Sequence, residues 1–173
     1  MIDLTQLLAS RDARAAFQQE LLKAHPEASL VCLTVQLPGP EKRNADSLVI
    51  GAAGLEALQN SFAESVSYQT VRDLETGYEA YLLVGFPAVE AKRICCRVEE
   101  THPLGRLMDI DVIGPEGPVS RESIGLPPRK CLLCDREVRY CMRARSHSTQ
   151  ELLDKIKQMV KEYGIQKVNA GGN

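Results

Sequence analysis

The chain has 173 residues, enough for one domain with a substantial hydrophobic core and too few for a large multidomain assembly. Apolar residues make up 44% and charged residues 25%, as in ordinary globular domains rather than low-complexity chains. The formal net charge of -2 gives no general attraction for polyanions, so we expect no nucleic-acid partner.

The distribution of charges and cysteines predicts a cytoplasmic protein. Residues 1–20 carry too many charged side chains for a signal peptide, and no apolar run approaches the roughly 18 residues of a membrane-spanning helix. We therefore expect no membrane partner. In the cytoplasm the six cysteines would be reduced or metal-bound rather than paired in disulfides.

The first half of the chain predicts a helix, a strand, a second helix and a hairpin. Asp3 is the predicted N-cap of the first helix, and Pro26 follows its end. The two hairpin strands are separated by a short turn that contains a glycine. The predicted ranges are helix 4–24, strand 30–37, helix 46–62, and strands 67–74 and 78–86.

The second half predicts a second hairpin and two more helices. After Pro87 we expect one short helical turn, then strands at 94–100 and 107–113. A basic helix is predicted over 135–145. A final helix begins after Ser148, which forms a capping-box pattern with Glu151.

These elements predict an α+β fold. We expect a single catalytic domain, residues 1–163, with a mostly antiparallel sheet of about five strands and helices at both termini. The tail at 164–173 is predicted to be disordered.

The strand predicted at 107–113 places two carboxylates on one face. Its period of two turns Met108, Ile110 and Val112 towards the core, and Asp109 and Asp111 to the opposite face. Neighbouring carboxylates repel each other unless a cation or water separates them. Mg²⁺ fits because it takes oxygen ligands and is commonly held by one or two carboxylates with substrate phosphates. The alternative is an ordinary solvated face of an antiparallel sheet.

The second hairpin adds residues to this face. Aligning the apolar faces of its strands places Glu99 opposite Asp109 and Arg97 opposite Asp111. We therefore predict that Glu99 joins the two aspartates around one point, with Arg97 beside them.

The loop of this hairpin contains three further candidates. Gly105 would let the backbone approach a phosphate, and the guanidinium of Arg106 would bind one. His102 is a candidate general base, with a structural role in the loop as the alternative.

Three cysteines and a histidine form the pattern C-x₂-C-x₆-C-x₅-H. These residues, Cys131, Cys134, Cys141 and His147, are the ligand types of a structural zinc site. On one continuous helix, Cys134 and Cys141 would lie about 10 Å apart, too far to share a tetrahedral ion. Zinc would therefore require a break in the helix between them. We expect unliganded thiols rather than zinc.

Basic residues are concentrated in the segment 129–145. Three of them, Arg136, Arg139 and Arg143, would share one helix face and could contact an acidic partner, with a solvated face as the alternative. Besides Gly105 and Arg97 of the second hairpin, the candidate substrate-binding residues are Lys42, Arg129 and Lys130.

Several of these segments together resemble a known enzyme family, the holo-acyl-carrier-protein synthases of citrate lyase, also called apo-citrate lyase phosphoribosyl-dephospho-CoA transferases. The matching motifs are Pro38-Gly39-Pro40 with Lys42; Thr76-Gly77 with Glu79; His102-Pro103-Leu104-Gly105-Arg106-Leu107 before Asp109-x-Asp111-Val112; and Arg129-Lys130-Cys131-Leu132-Leu133-Cys134 followed by Cys141, Arg143 and His147. The resemblance extends from the first helix to about residue 160.

The resemblance implies a nucleotidyltransferase-type reaction. The phosphoribosyl-dephospho-CoA group of triphosphoribosyl-dephospho-CoA would pass to a serine of the citrate lyase acyl carrier protein, the gamma subunit, and diphosphate would leave. Mg²⁺ on Asp109 and Asp111 would neutralise the triphosphate, and Arg106 with Lys42 would hold phosphates. Nucleotidyltransferases at large have Gly-Ser before the carboxylates, where this chain has Gly105-Arg106. The alternative function is a non-enzymatic, zinc-stabilised module that binds an acidic partner protein.

Overall fold

Five strands form a single antiparallel sheet. The computed structural model describes residues 2–35 and 37–170. The strands are β1 (Ser29–Val35), β2 (Val66–Leu74), β3 (Gly77–Val84), β4 (Asp109–Gly114) and β5 (Gly117–Val119), and the helices are α1 (Leu4–Ala24), α2 (Ala45–Phe62), α3 (Ala88–Thr101), α4 (Val138–Ala144) and α5 (Thr149–Ala170). The order in the sheet is β2-β3-β1-β4-β5. The α+β class, the number of strands and the terminal helices are thereby confirmed.

The sheet separates two helical layers because its central strands are buried on both faces. Every residue of β1 and β3 is buried. On one face, α1 packs through Phe17 and Leu21 against Leu30 and Tyr81. On the other face, α2, α3 and α5 pack around the larger core, which includes Leu33 of β1. No helix within residues 2–35 and 37–170 is long and apolar enough to cross a membrane.

The elements of the first half confirm the sequence predictions. Asp3 accepts a hydrogen bond from the Gln6 amide at 2.8 Å, and the Gln6 side chain accepts one from the Asp3 amide at 3.0 Å, so the first helix begins with a capping box. The β2–β3 turn ends at Gly77, whose φ of 132° favours glycine. A Cβ there would lie 2.8 Å from the Val35 carbonyl oxygen.

The strand predicted at 94–100 is wrong, because these residues belong to α3. Pro87 is the N-cap of that helix, a position without an intrahelical N–H bond, so the proline does not prevent helix formation. The buried residues Ala91, Cys95 and Val98 follow helical spacing. The alternation of apolar residues at 94, 96 and 98 also fits a strand, which is why the sequence misled.

The predicted boundaries near the carboxyl terminus need two corrections. The basic helix α4 begins at Val138 rather than 135, and residues 131–136 form a loop. The final helix α5 begins after the predicted capping box, in which the Glu151 amide donates to Ser148 Oγ at 3.2 Å. It continues to Ala170, so the part of the predicted tail before that residue is helical. Residues 171–173 lie outside the described residues.

Candidate active site

The two carboxylates of β4 lie together on one face of the sheet. Residues of β4 alternate between buried and exposed up to Val112, so Ile110 points into the core while Asp109 and Asp111 point away from it. β1 runs beside them, with Thr34 opposite Asp109 and Cys32 opposite Asp111. The Asp109 side chain keeps 64% of its surface exposed. The pair can therefore be reached from solvent.

The negative charge of Asp109 affects Asp111. Asp111 is accessible to solvent but has protein on several sides, and this partial loss of hydration, together with the negative charge of Asp109, raises the pKa of Asp111. The positive charges of Lys92 and Arg14 act in the opposite direction. A divalent cation bound by both carboxylates would remove their repulsion.

Arg129 fixes the beginning of β4. Its guanidinium donates to Asp109 Oδ1 at 3.2 Å and to the carbonyl oxygens of Met108 and Arg106 at 2.8 and 3.0 Å. The same side chain lies 3.8 Å from Glu99 Oε1. Arg129 therefore orients one carboxylate of the pair and ties it to the preceding loop.

The structure buries Glu99 beside the edge of β4, where Arg129 Nη1 lies between its carboxylate, at 3.8 Å, and that of Asp109, at 3.2 Å. The predicted register of Glu99 with Asp109 is wrong because β4 pairs with β1 and β5 instead of with residues 94–100. Glu99 accepts a hydrogen bond from the Ile110 amide at 3.1 Å and one from Arg121 at 2.9 Å. Burial raises its pKa, although Arg129 opposes the shift. On the same edge, Lys92 Nζ donates to the Ile110 carbonyl at 2.7 Å.

Gly105 and Arg106 connect this strand to the cysteine-rich segment. A Cβ at Gly105 would lie 2.5 Å from the carbonyl oxygens of Val98 and Glu99, so glycine allows the loop to pass the end of α3. The Arg106 guanidinium donates to the carbonyl oxygens of Lys130 and Cys131, the latter at 2.7 Å. Arg106 thus binds the loop that contains Arg129, and Arg129 binds the loop that contains Arg106.

His102 and Arg97 do not join the carboxylates. The ring nitrogen Nδ1 of His102 accepts a hydrogen bond from the Leu104 amide at 3.0 Å, and the ring packs on Tyr163 of α5. Burial lowers its pKa. These contacts favour the structural alternative for His102. Arg97 lies on the exposed side of α3, and its predicted position opposite Asp111 is wrong because α3 is a helix.

Lys42 lies in the loop that leaves β1. Its ammonium group donates to the Leu37 carbonyl at 2.7 Å, and burial lowers its pKa. β1 ends near the residue that pairs with Asp109, so this loop and the carboxylates occupy the same end of the sheet. Lys130 is exposed and lies 3.8 Å from Asp135.

The four residues of the cysteine pattern come together. The ligand atoms of Cys131, Cys134, Cys141 and His147 all lie within 4.8 Å of one another, a group that could hold a metal ion. Hydrogen bonds from the backbone of Arg136 and from the His147 ring lower the pKa of Cys134 to about 6.

Two of the three predicted basic residues lie on α4, and the third, Arg136, is exposed just before it. Arg139 and Arg143 are exposed on α4, one turn apart. Arg136 precedes the helix, and its guanidinium lies over the Tyr140 ring at 5.2 Å. Met142 is exposed beside these residues.

The comparison with known proteins identifies the family. The family model described as apo-citrate lyase phosphoribosyl-dephospho-CoA transferase matches residues 2–163. The chain belongs to this family. A probable apo-citrate lyase phosphoribosyl-dephospho-CoA transferase of Vibrio cholerae serotype O1 is 40% identical over 167 residues, which are 94% of this chain and 93% of that relative. The corresponding Streptococcus pyogenes protein is 36% identical over 94% of this chain and 87% of its own, and the Escherichia coli transferase is 37% identical over 97% and 93%.

A buried carboxylate, that of Glu79, was not among the site residues predicted for this transferase. Glu79 of β3 lies opposite Thr34, in the same row across the sheet as Asp109, and is 1% exposed. Its carboxylate accepts hydrogen bonds from Arg14 at 2.8 Å and from the Tyr81 hydroxyl at 2.6 Å. A glutamate within the apolar strand 78–84 was the available signal, because a buried carboxylate requires partners.

Proposed function

We propose that the protein transfers the phosphoribosyl-dephospho-CoA group from triphosphoribosyl-dephospho-CoA to a serine of the citrate lyase acyl carrier protein. The observation that carries this proposal is the accessible pair Asp109 and Asp111 with Arg129 bound beside it, in a chain of this transferase family. The new bond joins the serine oxygen to the phosphorus next to the ribose, and the bond to the departing diphosphate breaks. The serine proton passes to water during the attack, and the diphosphate leaves with the electron pair of the broken P–O bond.

The donor set of the pair fits Mg²⁺. Two carboxylates on one strand face offer the hard oxygen ligands that this ion prefers, with its remaining positions open to water and phosphate oxygens. Asp109 and Asp111 would hold the ion, which would supply positive charge against the triphosphate.

The protein's own residues have separate tasks in this proposal. Arg129 holds the Asp109 carboxylate in place through the contacts given above, so that the ligand geometry is set before the substrate arrives. Arg14 lies on the same face, fixed by Glu79, and contributes positive charge near Asp111. Lys42, at the same end of the sheet, is a candidate contact for the outer phosphates. Its hydrogen bond goes to the neutral Leu37 carbonyl, which does not neutralise the charge of the ammonium group.

The basic surface of α4 is the proposed docking site for the carrier. Arg139 and Arg143 offer two exposed positive charges, and the exposed side chains Tyr140 and Met142 add apolar area to them. Such a combination suits an acidic protein surface with an apolar centre. The family membership does not favour the alternative of a non-enzymatic binding module. A cytoplasmic location remains our prediction.

The test is a direct transfer assay. Purified protein is incubated with apo carrier, triphosphoribosyl-dephospho-CoA and Mg²⁺, and the adduct on the carrier is measured by mass spectrometry. We expect Asp109→Asn and Asp111→Asn each to lower the rate about 100-fold or more, because each removes a charged oxygen ligand. Glu116→Gln, at an exposed acid in the β4–β5 turn, is the matched control and should keep the rate. Absence of adduct with every divalent metal would contradict the proposal, as would normal turnover in either aspartate variant.

A further inference from the structure

The segment between β5 and α5 has very little hydrophobic core. Between residues 120 and 148, all within the described part of the chain, the buried apolar side chains are Ile124, Cys131 and Cys141. The only α-helix in this stretch is α4, which has 7 residues. A segment of this size with so few buried side chains usually needs another source of stability, such as a disulfide or a metal ion.

A closed loop places the first two cysteines. The Cys131 amide donates to the Arg136 carbonyl at 2.7 Å, and the Val138 amide donates to the Arg129 carbonyl at 2.9 Å. These bonds accompany an antiparallel bridge between Lys130 and Glu137. The loop between them turns Cys131 and Cys134 towards the same point.

A second reversal places the other two ligands. Cys141 lies on α4, whose C-cap residue, Arg145, is in the left-handed region with a φ of 47°. That conformation is uncommon for a residue other than glycine, so the surroundings must maintain it. The Ser146 amide then donates to the Cys141 carbonyl at 3.0 Å, and a ring nitrogen of His147 lies within 4.8 Å of the Cys141 sulfur.

The break that zinc binding required is present. Cys134 lies in the loop before α4 rather than on a continuous helix with Cys141, and their sulfur atoms are 3.5 Å apart. The His147 Nε2 atom lies 3.4 Å from the Cys134 sulfur. In a tetrahedral zinc site with Zn–S distances of about 2.3 Å, neighbouring ligand atoms are about 3.8 Å apart. The observed distances therefore suit one ion at the centre of the four atoms.

We propose that Cys131, Cys134, Cys141 and His147 form a structural zinc site. The thiolates and the neutral imidazole bind Zn²⁺, the thiol protons are released, and no oxidation occurs. A disulfide would use only two of the three sulfurs, and the 3.5 Å between Cys134 and Cys141 is well above the roughly 2 Å of an S–S bond. All four ligands come from protein, as in zinc sites that stabilise a fold rather than catalyse.

This zinc site would stabilise the candidate active site from one side. The carbonyl oxygen of Cys131, itself a ligand residue, accepts a hydrogen bond from Arg106. Arg129, two residues before the first ligand, holds Asp109. The ion thus fixes the loop from which Arg129 reaches β4. The zinc assignment itself does not depend on the proposed transfer reaction, and its test measures metal rather than activity.

The primary test is metal content of the full chain, purified without added zinc or chelator. We expect about one zinc per chain, strongly reduced in Cys131→Ser and Cys141→Ser. Cys96→Ser is the matched control, because Cys96 is equally buried but lies on α3 outside the cluster, and it should retain the ion. His147→Cys should also retain zinc, whereas His147→Ala should bind it more weakly.

A second measurement covers ligand variants that fail to fold. The wild-type chain is stripped with a chelator and titrated with Co²⁺, which should give the visible absorption of a tetrahedral site with thiolate ligands at one equivalent. Zn²⁺ should then displace it. A folded wild-type protein with no metal and no tetrahedral Co²⁺ spectrum would overturn the proposal. So would iron with inorganic sulfide, or zinc that persists in Cys131→Ser.

Discussion

Arg129→Ala should destabilise the protein although it removes no core side chain. The Arg129 side chain is 25% exposed and makes hydrogen bonds to Asp109 and to the carbonyl oxygens of Met108 and Arg106. At about 1 kcal/mol net for each bond, the variant should lose about 3 kcal/mol of unfolding free energy. For a domain of this size, that loss corresponds to a decrease in melting temperature of about 6–12 °C.

A charge-conserving variant separates the geometry of Arg129 from its charge. Arg129→Lys keeps the positive charge, but its single ammonium group cannot reach Asp109 and both carbonyls in the same fork. We expect it to recover about one of the three bonds, and therefore to melt about 4–8 °C below the wild type.

The assay is thermal unfolding followed by circular dichroism at pH 7, with Arg97→Ala as the matched control. Arg97 is an exposed arginine on α3, so its removal should change the melting temperature by no more than about 2 °C. An unchanged melting temperature for Arg129→Ala would refute the role of the fork, and so would an equal decrease in the Arg97 variant.

Three further outcomes follow from the structure. Because folding raises the pKa of Asp111, the contribution of this residue to the free energy of unfolding is present below the ordinary aspartate pKa and is lost as pH rises through the raised value. Asp111→Asn should therefore flatten part of this decline in the free energy of unfolding, measured by urea titration at several pH values. A steeper decline would contradict the shift. Arg139→Glu should raise the KM for the carrier about threefold or more at low salt, but not that for the triphosphate, whereas Arg93→Glu on α3 should change neither. Gly105→Ala should cost about 1–3 kcal/mol in chemical denaturation, because its Cβ would meet two backbone oxygens, and an unchanged midpoint would show that the loop can move away.

The sequence predicted elements whose pattern permitted only one periodicity. β4 is short and alternates from Asp109 to Val112, so both its type and the common face of Asp109 and Asp111 could be predicted. In contrast, residues 94–98 satisfy strand and helix periods at once, and the choice depended on the packing of Ala91 and Cys95 against the sheet. The residue types at 94–98 do not show how this segment packs against the sheet.

The cysteine cluster shows a second limit of sequence reasoning. The ligand types could be identified from their spacing, but their convergence depends on a loop closed between Cys131 and Arg136 and on the positive φ of Arg145. Arginine gives no local signal for that conformation, which is typical of glycine or asparagine. The spacing alone therefore favoured a continuous helix, on which the ligands would be separated.

The side chains around Ile110 also close an edge of the sheet. β5 pairs only with residues 112–114 of β4, so the backbone groups of the preceding residues would otherwise face outward as an open strand edge. Glu99 accepts a hydrogen bond from the Ile110 amide. Lys92 donates one to the Ile110 carbonyl, and Arg129 donates one to the Met108 carbonyl. An unpaired edge can add a strand from another molecule and so lead to aggregation. Here the charged side chains take the positions of that strand, and the segment that carries the carboxylates can remain accessible to a substrate without being accessible to a neighbouring chain.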